Sequence, residues 1–182
     1  MMHLVTGGSG SGKSAWAENL VVHTLQKYRY YLATMSAEGR EAQGRIERHR
    51  RLRAGKGFVT MECSHALKLL TFPTAARENV ILLEDISNLI ANEQFELGGT
   101  DEEIISRVWA GLRHLQSQCS EFILVTNEVC EDGIFYDEDT ERYLRLLARV
   151  NRELAAWADT VTEIVYGIAL PLKSLKLYTS QG

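Results

Sequence analysis

Gly7-Gly8-Ser9-Gly10-Ser11-Gly12-Lys13-Ser14 matches the pattern G-x-x-x-x-G-K-[ST] at every position. An apolar stretch, Leu4-Val5, precedes it, and Ala15-Trp16-Ala17-Glu18 continues it with helix-compatible residues. The pattern therefore predicts a strand, a tight glycine loop and the first turn of a helix. This arrangement binds phosphate for three physical reasons. Glycines let the backbone wrap closely enough to turn its N–H groups inward. The helix start adds the positive end of its dipole. Lys13 then reaches the β- and γ-phosphates, and the Ser14 hydroxyl can ligate Mg²⁺.

Outward from this loop, short apolar runs alternate with helix-like stretches. The runs are 3–6, 30–33, 80–83, 122–126 and 161–166, short enough for strands buried on both faces. The helical stretches are 13–26, 37–54, 86–95, 101–117 and 138–158, and 170–178 reads as a further strand or hairpin. Such alternation predicts an α/β fold of the P-loop NTPase-like kind, a mostly parallel sheet with helices on both faces. No repeat or linker interrupts it, so residues 1–182 are expected to form one nucleotide-binding domain.

Composition narrows the function. The formal net charge is −4, which supplies no general basic field for nucleic acid. No apolar run approaches the ~20 residues of a membrane span, and MMHLVTGG is expected to be no signal peptide. Cys63, Cys119 and Cys130 lack metal-ligand spacing and are expected to be reduced thiols in the cytoplasm.

Two further segments carry candidate chemistry. Val80–Leu83 ends in Glu84-Asp85, and ligands in open α/β sheets lie beyond the carboxyl ends of the strands. Either acid can hold a cation there; the competing reading is that they cap the helix beginning at Ile86. Asn127 and Glu128 end the next strand and can reach the same cleft. The second segment is basic: Arg45, Arg48, Arg50, Arg51, Arg53 and Lys56 surround His49 against the single acid Glu47. Neighbouring cations favour a neutral, nucleophilic imidazole and attract phosphate. A solvated helix face with a structural histidine is the bland alternative.

The order of these motifs resembles the bifunctional adenosylcobinamide kinase/adenosylcobinamide-phosphate guanylyltransferase family of cobalamin biosynthesis. The resemblance runs through MMHLVTGGSGSGKS, Tyr31-Leu32-Ala33-Thr34, Arg45-Ile46-Glu47-Arg48-His49-Arg50, Ile81-Leu82-Leu83-Glu84, Val125-Thr126-Asn127-Glu128-Val129 and Val150-Asn151-Arg152-Glu153-Leu154-Ala155. It implies that Gly7, Gly8, Ser9, Gly10, Ser11, Gly12, Lys13 and Ser14 bind nucleotide phosphates. It also implies that Ala33, Thr34, Met35, Arg50, Arg51, Leu52, Arg53, Glu62 and Glu84 line the nucleotide site. His49 would become guanylylated. Ser14 and Glu84 would hold Mg²⁺, ATP and GTP would be substrates beside a corrinoid, and the protein would be a cytoplasmic homo-oligomer, a trimer. Gly10, Asp85, Cys130 and Tyr136 depart from residues common in that pattern. A P-loop small-molecule kinase without the histidine intermediate, or a nucleotide-responsive regulatory protein, are the competing functions.

Overall fold

The computed structural model describes residues 1–35, 51, 53–128 and 136–174. Seven strands form one sheet: β1 (Met2–Thr6), β2 (Tyr28–Ala33), β3 (Phe58–Glu62), β4 (Asn79–Glu84), β5 (Glu121–Val125), β6 (Thr160–Val165) and β7 (Ile168–Lys173). Their order across the sheet is β3-β2-β4-β5-β1-β6-β7. Every neighbouring pair is parallel except the β6–β7 hairpin. The helices are α1 (Lys13–Val22), α2 (Ile86–Asn92), α3 (Asp101–Ser117) and α4 (Glu138–Trp157).

Both faces of the sheet are covered, as the continuous apolar strands require. Along β4, Val80 and Leu82 pack with Ala17 and Val21 of α1, while Ile81 and Leu83 pack with Leu89, Ile104 and Leu112 of α2 and α3. Strand alternation thus splits one run of four apolar side chains between two cores.

Several expectations needed adjustment. The helix read over 13–26 ends at Val22. The Arg29 guanidinium accounts for the stop: it donates to the Val22 carbonyl at 3.0 Å and to the Lys56 carbonyl at 2.9 Å, joining the helix end to the approach to β3. The helix read over 86–95 is α-helical only to Asn92 and continues as a π turn, Glu93–Leu97. There Arg107 pairs with the buried Glu93 at 2.6 Å and also donates to the Glu93 and Gly98 carbonyls. The last strand starts earlier than 170: Tyr166 and Gly167, both at positive φ, turn β6 into β7. Strand β3 was not expected at all. Among the described residues it pairs only with β2, and it is half exposed, so it lacks an apolar run. Most of the helix read over 37–54 lies outside the described residues; Arg51 and Arg53 are helical.

Candidate active site

The phosphate loop joins β1 to α1 and is shaped by contact with β6. Gly7 lies at φ 148°, and a Cβ there would meet the Ile164 carbonyl oxygen at 2.5 Å. Gly12, at φ 94°, takes the left-handed conformation at the start of α1. A further strap comes from the hairpin, where the Gly167 N–H donates to the Ser11 carbonyl at 2.8 Å. Lys13 is buried, and its ammonium donates to the Gly8 carbonyl at 3.1 Å. Burial lowers the Lys13 pKa, opposed by the carboxylates of Asp85 and Glu84.

Glu84 stands at the carboxyl end of β4, across from α1. One carboxylate oxygen accepts the Ser14 hydroxyl, and the other accepts the Tyr31 hydroxyl at 3.0 Å. Burial pushes the Glu84 carboxyl up; the two hydroxyl donors pull the other way. Asp85 has a different job from its neighbour. Its Oδ1 accepts the Asn88 N–H at 2.7 Å, capping α2, and the Ser87 hydroxyl at 2.5 Å. Its Oδ2 accepts the Asn127 amide at 2.9 Å. The two readings of the Glu84-Asp85 pair therefore divide between the residues: Glu84 meets the phosphate loop, and Asp85 is the cap.

A cavity of about 230 Å³ opens between these groups. Of the expected residues it is lined by Ser9, Lys13, Ser14, Ala33, Met35, Arg53, Glu62 and Glu84. Tyr31, Thr60, Asp85 and Asn127 complete the lining. Thr34 is not part of it. Strand alternation turns Ala33 toward the cavity and Thr34 away, and the Thr34 hydroxyl accepts the Asp85 N–H at 2.7 Å while donating to the Asp85 carbonyl at 2.8 Å. Arg51 is exposed whereas Arg53 is buried, because positions two apart on a helix face opposite sides. Lys56 pairs with the buried Glu18 of α1 at 2.5 Å, so this part of the basic run has a structural partner. Glu128, expected as a second reach from β5, is exposed and contributes its N–H to the Gly7 carbonyl at 3.4 Å. His49, Arg50 and Leu52 lie outside the described residues, as do Arg45, Arg48 and Cys130.

Tyr31 and Thr60 were missed by sequence reading. Each stands two residues before a predicted site residue on the same strand, Ala33 and Glu62, and strand periodicity places such pairs on one face. That was the available signal for Tyr31; for Thr60 the strand itself had gone unrecognised.

The donor set fits a hard divalent cation. The Ser14 hydroxyl and Glu84 carboxylate are oxygen donors in direct contact beside Lys13, and Mg²⁺ commonly takes one or two protein oxygens and completes its shell with phosphate and water. Among the described residues no group of three or more His, Cys, Asp or Glu could hold a metal by itself. No helix among them is long and apolar enough to cross a membrane.

Comparison with known proteins assigns the chain a family. The family model described as "Cobinamide kinase / cobinamide phosphate guanyltransferase" matches residues 3–172. The bifunctional adenosylcobalamin biosynthesis protein CobU of Salmonella typhimurium is 35% identical over 185 residues, covering 95% of this chain and 100% of that protein. The protein of the same name from Escherichia coli K12 is 34% identical with the same coverage. The crystal structure of the flagellar accessory protein FlaH from Methanocaldococcus jannaschii matches with a TM-score of 0.49 and 15% identity, over 96% of this chain and 78% of that one. With its phosphate loop in place and a family model matched from residue 3 to residue 172, the chain belongs to the cobinamide kinase/cobinamide phosphate guanyltransferase family.

Proposed function

We propose that this chain performs both reactions of its family on one nucleotide site, with His49 as the covalent nucleophile of the second. The observation that carries the proposal is the convergence of Lys13, Ser14 and Glu84 on one cavity that Arg53, beside His49 in sequence, also lines. In the kinase step the aminopropanol hydroxyl of adenosylcobinamide attacks the γ-phosphate of ATP or GTP. The P–O bond to the β-phosphate breaks, and the nucleoside diphosphate leaves. Lys13 and the loop N–H groups hold the transferring charge; positioning of this kind accounts for most of phosphoryl-transfer catalysis. Ser14 and Glu84 would hold Mg²⁺, which would add to the neutralisation of phosphate charge.

In the second step the His49 imidazole attacks the α-phosphate of GTP, and pyrophosphate leaves. GMP remains joined to His49 through a P–N bond until a phosphate oxygen of the phosphorylated corrinoid displaces the imidazole, giving adenosylcobinamide-GDP. We place the enzyme in the cytoplasm as a homo-oligomer, a trimer, on the strength of the family resemblance.

The test is incubation with Mg²⁺ and GTP labelled on the α-phosphate, followed by denaturing electrophoresis and intact-mass analysis. One GMP per chain is expected, labile to acid and comparatively stable to base, and absent in His49→Ala. His65 and His114 are the controls. The His114 ring is engaged with the Leu70 carbonyl at 2.7 Å, and the His65 ring with Glu96 at 3.4 Å. Replacing either leaves labelling intact. An adduct that persists in His49→Ala, or that maps to another residue, overturns His49 as the nucleophile, and no adduct in the wild-type protein assigns the chain to the plain kinase reading.

A further inference from the structure

Tyr31 is the one residue that touches both ends of the cavity among the contacts described above. Its hydroxyl donates to the Glu84 Oε2 at 3.0 Å, while the other Glu84 oxygen accepts from Ser14. Over its ring lies the Arg53 guanidinium, the central carbon 3.6 Å from the ring centroid. Phe58 of β3 meets the same ring edge-on, centroids 5.9 Å apart at 79°, which fixes the plane of the phenol. The residue is only 3% exposed, so both contacts are held within the packed wall of the cavity.

Arg53 is the less settled partner. It is 6% exposed, yet its Nε and Nη1 have no hydrogen-bond partner among the described residues. Stacking on an aromatic face is favourable, but it leaves the in-plane N–H donors unused. Unpaired buried donors are costly, so a guanidinium held this way is set up for an acceptor that arrives from outside. It lines the same cavity as Lys13 and Glu84.

We propose that Tyr31 is a positioning residue with two tasks: its hydroxyl fixes the Glu84 carboxylate for a divalent cation, and its ring shelves Arg53 for an acceptor oxygen or nitrogen of the nucleotide. The identity of the ligand rests on the nucleotide reading given above. The two tasks use different parts of one side chain, so they separate by mutation. Tyr31→Phe removes the hydroxyl and keeps the shelf. Tyr31→Leu removes both.

The experiment measures binding of a fluorescent GTP analogue to wild type and both variants, once in EDTA and once in saturating Mg²⁺. Tyr31→Phe is expected to bind as wild type in EDTA and to lose about tenfold of the affinity that Mg²⁺ adds, the usual size of effect for a partner of a metal-holding carboxylate. Tyr31→Leu is expected to lose affinity in EDTA as well. Should Tyr31→Leu fail to fold, Arg53→Met reads that half, since it removes the donors and leaves the shelf. A wild-type Mg²⁺ response in Tyr31→Phe overturns the cation task, and so does an equal loss with and without Mg²⁺. Wild-type affinity in EDTA for Tyr31→Leu, or for Arg53→Met in its place, overturns the Arg53 task. A wild-type protein that binds no analogue at all overturns the nucleotide reading itself, which distinguishes that failure from the failure of this proposal.

Discussion

Single side chains at the end of β4 decide the electrostatics of the cavity, and Glu84 is the clearest case. Burial holds its carboxyl above the ordinary carboxylate range. The metal-free folded state therefore retains a proton that the unfolded chain has already released. Its contribution to stability is whole below the unfolded value of about 4.5 and is lost as pH rises through the raised folded value. Glu84→Gln carries no such charge. Thermal melts in EDTA should show the variant gaining on wild type as pH rises above the unfolded value of about 4.5. Adding Mg²⁺ and GTP should raise the wild-type melting temperature and leave the variant nearly unmoved, because ligand stabilisation follows affinity. A stability gap independent of pH would remove burial as the cause. Cys119 makes a milder point: its thiol is pushed up to about 12, first by burial, so it should react slowly with alkylating agents at neutral pH. Its sulfur sits over the Leu115 carbonyl at 3.4 Å at the end of α3, a structural position and not a reactive one.

Local signals explain which elements could be read in advance. Helix α3 was legible to the residue at both ends, because Thr100 and Glu103 form a reciprocal cap: the Thr100 N–H donates to Glu103 at 2.8 Å and the Glu103 N–H to the Thr100 hydroxyl at 3.3 Å. Thr100→Ala should cost about 1 kcal/mol in chemical denaturation, with the midpoint shifted and the slope unchanged. The end of α1 was illegible because it depends on Arg29, a residue beyond the helix that answers the Val22 carbonyl. Strand β3 was illegible because an edge strand with one neighbour needs no apolar run, and with it went the placement of Thr60. The phosphate loop lies between these cases. Its motif announced its function, but its dependence on β6 appears only in three dimensions. Gly7→Ala puts a methyl 2.5 Å from the Ile164 carbonyl, at a φ that L residues rarely adopt. That variant should lose nucleotide binding by more than tenfold while far-UV circular dichroism stays near wild type, since the loop must shift and the flanking β1 and α1 need not.

On the scale of the whole chain, the sheet order places β4, β5 and β1 side by side, so their carboxyl ends present Glu84, Asn127 and the phosphate loop to one opening. Strand β2 adds Tyr31 and Ala33 from beyond β4, and helical Arg53 closes the same side. This is why much of the cavity lining was readable from motifs at strand ends: a parallel sheet gathers them whatever their separation in sequence. What the motifs could not supply was the direction each side chain takes, which is how Thr34 came to be expected in a cavity it faces away from. The same geometry argues that the two reactions share machinery unequally. On the proposed mechanism both need a triphosphate held by the loop, whereas only the guanylyl transfer uses a histidine nucleophile. Lys13→Ala should therefore depress both kinase turnover and His49 labelling by at least tenfold, ~1.4 kcal/mol of lost phosphate stabilisation. His49→Ala should abolish labelling and formation of adenosylcobinamide-GDP, yet leave adenosylcobinamide phosphate accumulating from ATP. Product analysis by chromatography after incubation of each variant with adenosylcobinamide and both nucleotides distinguishes the two patterns. If Lys13→Ala removed only the kinase product and labelling stayed at wild-type level, the α-phosphate would have to be bound somewhere other than this loop, and the one-site reading would fail.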